Sequence, residues 1–224
     1  MNQKPQSPGK QGPIGPVVYE NTVRVKCPDG IGSGFFVHGD KGLFLVTAEH
    51  VLGGVSNGEE IEVENSAGGG MPIIVQRLPS IDPNADIAVV RISGSRPPTA
   101  SFETSKEVYV GEEVYLAGYP WGLGSFGANL TGEPPFVRKG VVSGLVWIDG
   151  VPTFWLDLVS NKGFSGGPVF RVVNDPASAF EVIGVLTSTR YSNEDQGTIG
   201  FSQCTPVEYA VNAIKTFEDQ ISSS

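Results

Sequence analysis

The segment Asn161-Lys162-Gly163-Phe164-Ser165-Gly166-Gly167-Pro168 sets a serine among glycines, residues that let a backbone approach a substrate closely. A serine hydroxyl is a weak nucleophile at neutral pH, so Ser165 can attack a carbonyl only with a base in hydrogen-bond reach and a third group orienting that base. The chain offers two histidines, His38 and His50. His38 closes the apolar run ending Val37-His38-Gly39-Asp40 and reads as an exposed residue at a strand end. His50 follows Leu43-Phe44-Leu45-Val46-Thr47-Ala48-Glu49, a strand feeding a short turn, and is the better base. For the orienting acid, Asp86 in Asn84-Ala85-Asp86-Ile87-Ala88-Val89-Val90 is preferred, because the apolar strand after it would fix its backbone; Asp82 and Asp157 are its rivals. The chemistry implied is acyl transfer through a serine nucleophile.

The string Gly163-Phe164-Ser165-Gly166-Gly167 also fits the G-x-S-x-G elbow of α/β-hydrolases, a fold in which the histidine follows the serine. No histidine lies beyond residue 50, and helices do not alternate with strands, so that class is excluded.

The elements that must position these residues are short strands. The 224 residues include 30 glycines and 17 prolines, about a fifth of the chain against roughly 12% in average usage. Charged residues are only 17% of the chain. Runs of β-branched and aromatic residues alternate with Gly, Asn, Asp and Pro clusters, which is the pattern of an all-β sandwich or barrel. Strands are predicted near 17–27, 32–38, 42–47, 60–64, 72–78 and 86–92. After a polar linker from Ser93 to Lys106, more are predicted near 112–118, 137–149, 152–158, 167–173, 180–188 and 198–203. The segment Gly118 to Arg138, full of Gly and Pro, reads as a long surface loop. Only the end of the chain has helical period, with Val207, Ala210, Val211, Ile214, Phe217 and Ile221 on one face; Thr205, Pro206 and Glu208 fit its cap and first turn.

With this organisation on the page, the order His50, Asp86, Ser165 resembles that of the chymotrypsin-like serine proteases. The blocks that carry the likeness are Thr47-Ala48-Glu49-His50, Asp86-Ile87-Ala88-Val89 and Gly163-Phe164-Ser165-Gly166-Gly167-Pro168. The bacterial trypsin-like branch, with its high-temperature-requirement stress proteases, is the nearer match through Gly32-Ser33-Gly34-Phe35-Phe36-Val37, Asn161-Lys162-Gly163, Gly118-Tyr119-Pro120, Gly140-Val141-Val142-Ser143-Gly144 and Val182-Ile183-Gly184-Val185. The resemblance implies an all-β fold of two six-stranded antiparallel barrels with a C-terminal helix. It divides the chain into a flexible lead-in (1–16), a first barrel (17–105) and a second barrel with the helix (106–224), together one free-standing protease domain.

The same resemblance implies a serine endopeptidase acting on polypeptides, with His50, Asp86 and Ser165 catalytic and the N–H groups of Gly163 and Ser165 as oxyanion hole. Thr187, Ser188 and Thr189 would pair with an extended substrate. The specificity pocket would be lined by Val159, where Arg/Lys-cleaving relatives hold an aspartate, by Ser160 and by Ile199, giving cleavage after small or medium apolar residues; Glu194 and Asp195 lie in a loop that could reach it. Phe164 stands where the digestive enzymes carry the aspartate that pairs with a newly cut N-terminus, so activity without N-terminal cutting is expected. The competing reading is a catalytically idle peptide-binding module of the same fold.

A net charge of −9 argues against nucleic acid and anionic membrane surfaces as partners. No cofactor or metal is expected. A regulatory protein partner is left open, as is the oligomeric state. The N-terminal MNQKPQSPGKQGPIGP has no apolar signal core, which predicts a cytosolic protein. The two cysteines, Cys27 and Cys204, read as buried thiols rather than a bridge.

Overall fold

The computed structural model describes residues 14–28, 30–66, 70–93, 102–121, 134–173, 180–194 and 197–223, and side chains throughout these except over 191–199. Two antiparallel sheets dominate it. The first holds β1 (Thr22–Cys27), β2 (Gly30–Gly39), β3 (Gly42–Ala48), β4 (Glu60–Glu64), β5 (Gly70–Ile74) and β6 (Ile87–Ile92), in the order β5-β4-β1-β2-β3-β6. The chain leaving β5 curls this sheet toward a barrel, since Arg77 bridges to Val90 and Leu78 N–H donates to Val89 O at 2.8 Å.

The second sheet holds β7 (Glu103–Thr104), β8 (Glu113–Gly118), β9 (Phe136–Ile148), β10 (Val151–Leu156), β11 (Pro168–Val172), β12 (Phe180–Glu194) and β13 (Gly197–Pro206). Six of these close a barrel in the order β11-β8-β9-β10-β13-β12, with β12 pairing back onto β11, and β7 lies outside, parallel to β12. The fold is thus two barrel-like β-sheets with a C-terminal helix, α2 (Glu208–Ser222).

Three apolar clusters explain why so many strands are apolar on both faces. Along β3, Leu43 and Leu45 point into the first barrel, while Phe44 and Val46 join a cluster between the two sheets. Strand β6 alternates likewise, with Ala88 and Val90 inward and Ile87 and Val89 outward. The shared cluster also takes Phe170, Val182 and Val185 of the second sheet and Val207, Ala210 and Ile214 from the α2 end. A third cluster, with Leu116, Phe154, Leu156 and Phe164, fills the second barrel. The β9–β10 hairpin turns at Asp149 (φ 50°) and Gly150 (φ 85°), the positive pair that a two-residue turn matching strand twist requires.

Several expectations need correction. Residues 16–21 form a helix, α1 (Pro16–Asn21), not the start of the first strand: Pro16 occupies its first turn, Asn21 Nδ2 donates back to Val17 O at 2.8 Å, and Val18 is buried between the sheets. Thr205 does not cap α2, because it is still in β13 opposite Val185; the cap position is Val207, with no side-chain hydrogen bond. The polar linker contains β7, its residues 94–101 lying outside the described region. Of the long loop, 122–133 lie outside it too, and Phe136 to Arg138 already belong to β9. The lead-in is described only from Ile14, which packs into the shared cluster. Cys204 is buried and Cys27 only half-buried, and no disulfide joins them.

Candidate active site

Pairing of Ala48 with Ile87, at the end of β3 and the start of β6, sets the residues just outside those strands side by side. His50 lies in the short 3₁₀ turn Glu49–Leu52 after β3, and Asp86 immediately precedes β6. The Asp86 carbonyl accepts from Glu49 N–H at 3.1 Å. Its carboxylate uses both oxygens on His50, Oδ1 accepting the backbone N–H at 3.0 Å and Oδ2 lying 2.8 Å from the ring Nδ1. Asp86 achieves this from a left-handed backbone (φ 51°, ψ 41°), a region aspartate tolerates better than most residues. A carboxylate at Nδ1 places the ring proton there and leaves Nε2 as the acceptor. The Asp86 hydrogen bond, aided by its charge and opposed by burial, raises the His50 pKa above the ordinary histidine value.

The rivals fall away on position. Asp82 caps the turn Pro83–Ala85 by accepting from Asn84 N–H at 2.9 Å, Asp157 is exposed after β10, and His38 is exposed in β2.

Ser165 comes from the second barrel, on a loop held almost entirely by backbone. Phe164 N–H donates to Asn161 O at 3.2 Å, closing a turn in which Gly163 takes φ 96°. Trp121 N–H donates to Lys162 O at 2.6 Å, and Gly166 N–H to Leu186 O at 2.7 Å. Phe164 is buried in the second barrel, anchoring the loop by packing. Gly166 (φ 83°) sits where a Cβ would drive into Ser33 O and Thr47 Oγ1, so the two barrels touch directly behind the serine. Ser33 is the residue the sequence reading passed over: its N–H donates to Ser165 O at 2.8 Å, its hydroxyl donates to Gly163 O at 2.6 Å, and that same hydroxyl accepts from Tyr119 N–H at 2.8 Å. Its setting in Gly32-Ser33-Gly34 was the available signal.

Ser165, Gly163 and His50 line one cavity of about 220 Å³ with Ile31, Trp121 and Lys162. The N–H groups of Gly163 and Ser165 donate to no described residue. A second cavity of about 400 Å³ adjoins it, lined by His50, Asp86, Asn84, Thr187, Ser188 and Arg190 among others. The remaining predicted residues cluster beside these. Ser160 is buried, takes Ser202 Oγ as acceptor for its N–H at 3.1 Å, and hydrogen-bonds Thr189 Oγ1 through its hydroxyl; Arg138 Nη1 donates to Val159 O. The Ile199 side chain, with Glu194 and Asp195, lies outside what the structure describes. Among the described residues no group of three His, Cys, Asp or Glu side chains could hold a metal ion.

Residues 32–175 match the trypsin-like peptidase domain family. A "Probable periplasmic serine endoprotease DegP-like" of Pseudomonas putida is 28% identical over 84% of this chain and 35% of its own length, and one of Pseudomonas savastanoi is 31% identical over the same shares. The chain therefore spans about a third of the length of these curated relatives. Among solved structures, an inactive mutant form of Rv3671c from M. tuberculosis superposes with TM-score 0.59 at 18% identity, covering 90% of this chain and 89% of that one. The MamO protease domain from Magnetospirillum magneticum gives 0.58 at 21%, covering 88% and 97%. Both support the fold alone. The cytosolic expectation is corrected by the relatives: the two Pseudomonas proteins carry names that call them probable periplasmic endoproteases, which points to a place outside the cytoplasm, and the composition of the first sixteen residues was too slight a basis for the opposite view. By the family match, the chain belongs to the trypsin-like peptidase family.

Proposed function

We propose that the chain is a serine endopeptidase that hydrolyses peptide bonds through His50, Asp86 and Ser165, with residues 17–105 and 106–224 as the two halves of one protease domain. The observation that carries this reading is the Asp86 carboxylate gripping both the backbone and the ring of His50, with Ser165 on the same cavity wall. Ser165 Oγ attacks the scissile carbonyl carbon while His50 Nε2 takes its proton, and Asp86 steadies the imidazolium. The oxyanion forms against the N–H groups of Gly163 and Ser165. The trans peptide between Lys162 and Gly163 supports this, because Trp121 holds its carbonyl oxygen and the N–H must then point the opposite way. Collapse expels the amine, which leaves with the His50 proton, and water then hydrolyses the acyl ester by the same route.

The edge of β12 is available for an extended substrate. Strand β11 pairs with β12 only as far as Val185, and Leu186 is bonded to Gly166 and Gly167, so from Thr187 onward no described strand pairs with that edge beside Ser165. Ser160 and Thr189, which we place in the walls of the specificity pocket, are joined by a hydrogen bond, and such a bond would narrow that pocket in favour of small apolar residues. With Phe164 buried, the loop needs no ion pair to hold it, and the intact chain is read as competent without N-terminal cutting.

A fluorophosphonate probe tests the reading. Labelling should be confined to Ser165, absent in Ser165→Ala and greatly weakened in His50→Ala. Folded protein that stays unlabelled would favour an idle module of the same fold.

A further inference from the structure

The proposed cleft carries a charge opposite to that of the molecule. The chain is net −9, yet among the described residues the side chains that carry charge into the two cavities around His50 are Lys162, Arg190 and Asp86, and both Asp86 oxygens are already taken by His50. Arg190 differs from the other described arginines. Arg24, Arg77 and Arg171 are ion-paired with glutamates, Arg138 donates to Val159 O, and Arg91 lies over the Phe217 ring at 5.3 Å. Arg190 makes one long bond, Nε to Gln203 Oε1 at 3.4 Å, and its two Nη groups meet no described partner.

Position gives this guanidinium a meaning. Side chains alternate along a strand, and β12 obeys the rule: Thr189 turns to Ser160, whereas Ser188 and Arg190 face the 400 Å³ cavity. A peptide paired antiparallel to the open edge of β12 runs toward Ser165 as β12 runs away from it. The three steps from Thr187 to Arg190 span about 10 Å, so the guanidinium lies level with substrate residues two to four positions before the scissile bond. At physiological salt, charges more than about 8 Å away are largely screened, so these nearby cations outweigh the net charge of the whole.

We propose that Arg190 is a specificity residue that binds an aspartate or glutamate side chain of the substrate, two to four residues N-terminal to the bond cut, so that the cleft selects acidic polypeptide segments. This rests on the endopeptidase reading for its placement. Lys162, on the other side of Ser165 and 5.6 Å from the Trp121 ring, adds a charge of the same sign.

A peptide-library digest by the intact chain, read by mass spectrometry, tests it. Acidic residues should be enriched at those upstream positions, the enrichment should disappear in Arg190→Gln and be kept in Arg190→Lys, and Arg190→Glu should favour Lys or Arg instead. For a peptide pair differing only by Glu or Gln there, kcat/KM should favour Glu by about 2–5-fold at low salt and by less at high salt. An unbiased digest, or one unchanged in Arg190→Glu, overturns the proposal. If the wild-type chain cuts nothing, the endopeptidase reading fails, and the same pair, fluorescein-labelled, is titrated into Ser165→Ala by anisotropy. Tighter Glu-peptide binding that is lost on adding Arg190→Gln upholds Arg190 as the acid-reading residue; equal binding overturns it.

Discussion

The two sides of the cleft hold their residues by different means. On the first-barrel side, a side chain grips both a ring and a backbone: Asp86 holds His50 by two hydrogen bonds and its neighbour Glu49 by a third. On the second-barrel side, Ser165 is placed by main-chain bonds and by glycines where a Cβ would strike the other barrel or the Tyr119 carbonyl. Damage to the first side should therefore be chemical, leaving the fold intact, whereas damage to the second should be structural first.

The sharpest break on the first side is Asp86→Asn. Asparagine tolerates the left-handed backbone, so the fold should survive with an unchanged melting temperature. Removing the charge and the acceptor at Nδ1 should lower kcat/KM by about a thousandfold or more. The pH profile adds a second reading. His50 must be neutral to act as base and its pKa is raised by Asp86, so wild-type kcat/KM should fall as pH drops through a value above the ordinary histidine pKa. In Asp86→Asn the fall should move to lower pH. A wild-type profile flat from pH 5 to 8 would remove His50 from the mechanism.

Gly166→Ala is the matching lesion opposite. The added methyl meets strain at φ 83° and collides with Ser33 O, so a loss of about 3 kcal/mol in stability should accompany an activity loss of about a hundredfold. Chemical denaturation beside kinetics distinguishes the two sides. A stable Gly166→Ala with full activity would mean that the barrels do not meet so closely behind the serine.

Much of this contrast was legible in the sequence, and the exceptions are instructive. The strands could be read because β3 and β6 are apolar on both faces, one lining a barrel and one facing the other sheet. His50, Asp86 and Ser165 could be singled out because chain order and local setting left few rivals. The Pro16–Asn21 helix was hidden by β-branched Val17 and Val18, whose burial between the sheets overrides local preference. Thr205 looked like a cap because only pairing with Val185 keeps it in a strand. Ser33 was missed because its partners Tyr119, Gly163 and Ser165 lie far along the chain, so that its Gly32-Ser33-Gly34 setting alone did not single it out, and Arg190 because the cavity it lines is assembled from distant residues such as His50 and Asn84.

Ser33→Ala probes the contact between the sides. It removes the hydroxyl that donates to Gly163 O and accepts from Tyr119 N–H, both buried, at a cost of about 1–3 kcal/mol. Because the Ser33 backbone bond to Ser165 remains, activity should fall by about tenfold rather than vanish, as the turn that aims the Gly163 N–H loosens. The fall should appear in kcat more than in KM, since the oxyanion exists only after attack.

The smallest effect should come from Asn84→Ala, which cuts a second link between the sides. Asn84 Nδ2 donates at 3.3 Å to the carbonyl of Asp149, so the β9–β10 hairpin leans on the turn that carries Asp86. The bond is long and exposed, and Asp86 is held independently by Glu49 and His50. Its loss should therefore cost no more than about 0.5 kcal/mol, and kcat/KM should change by less than about threefold. A tenfold or larger loss at unchanged melting temperature would show that the hairpin positions the acid, and the two sides would then have to be treated as one mechanical unit.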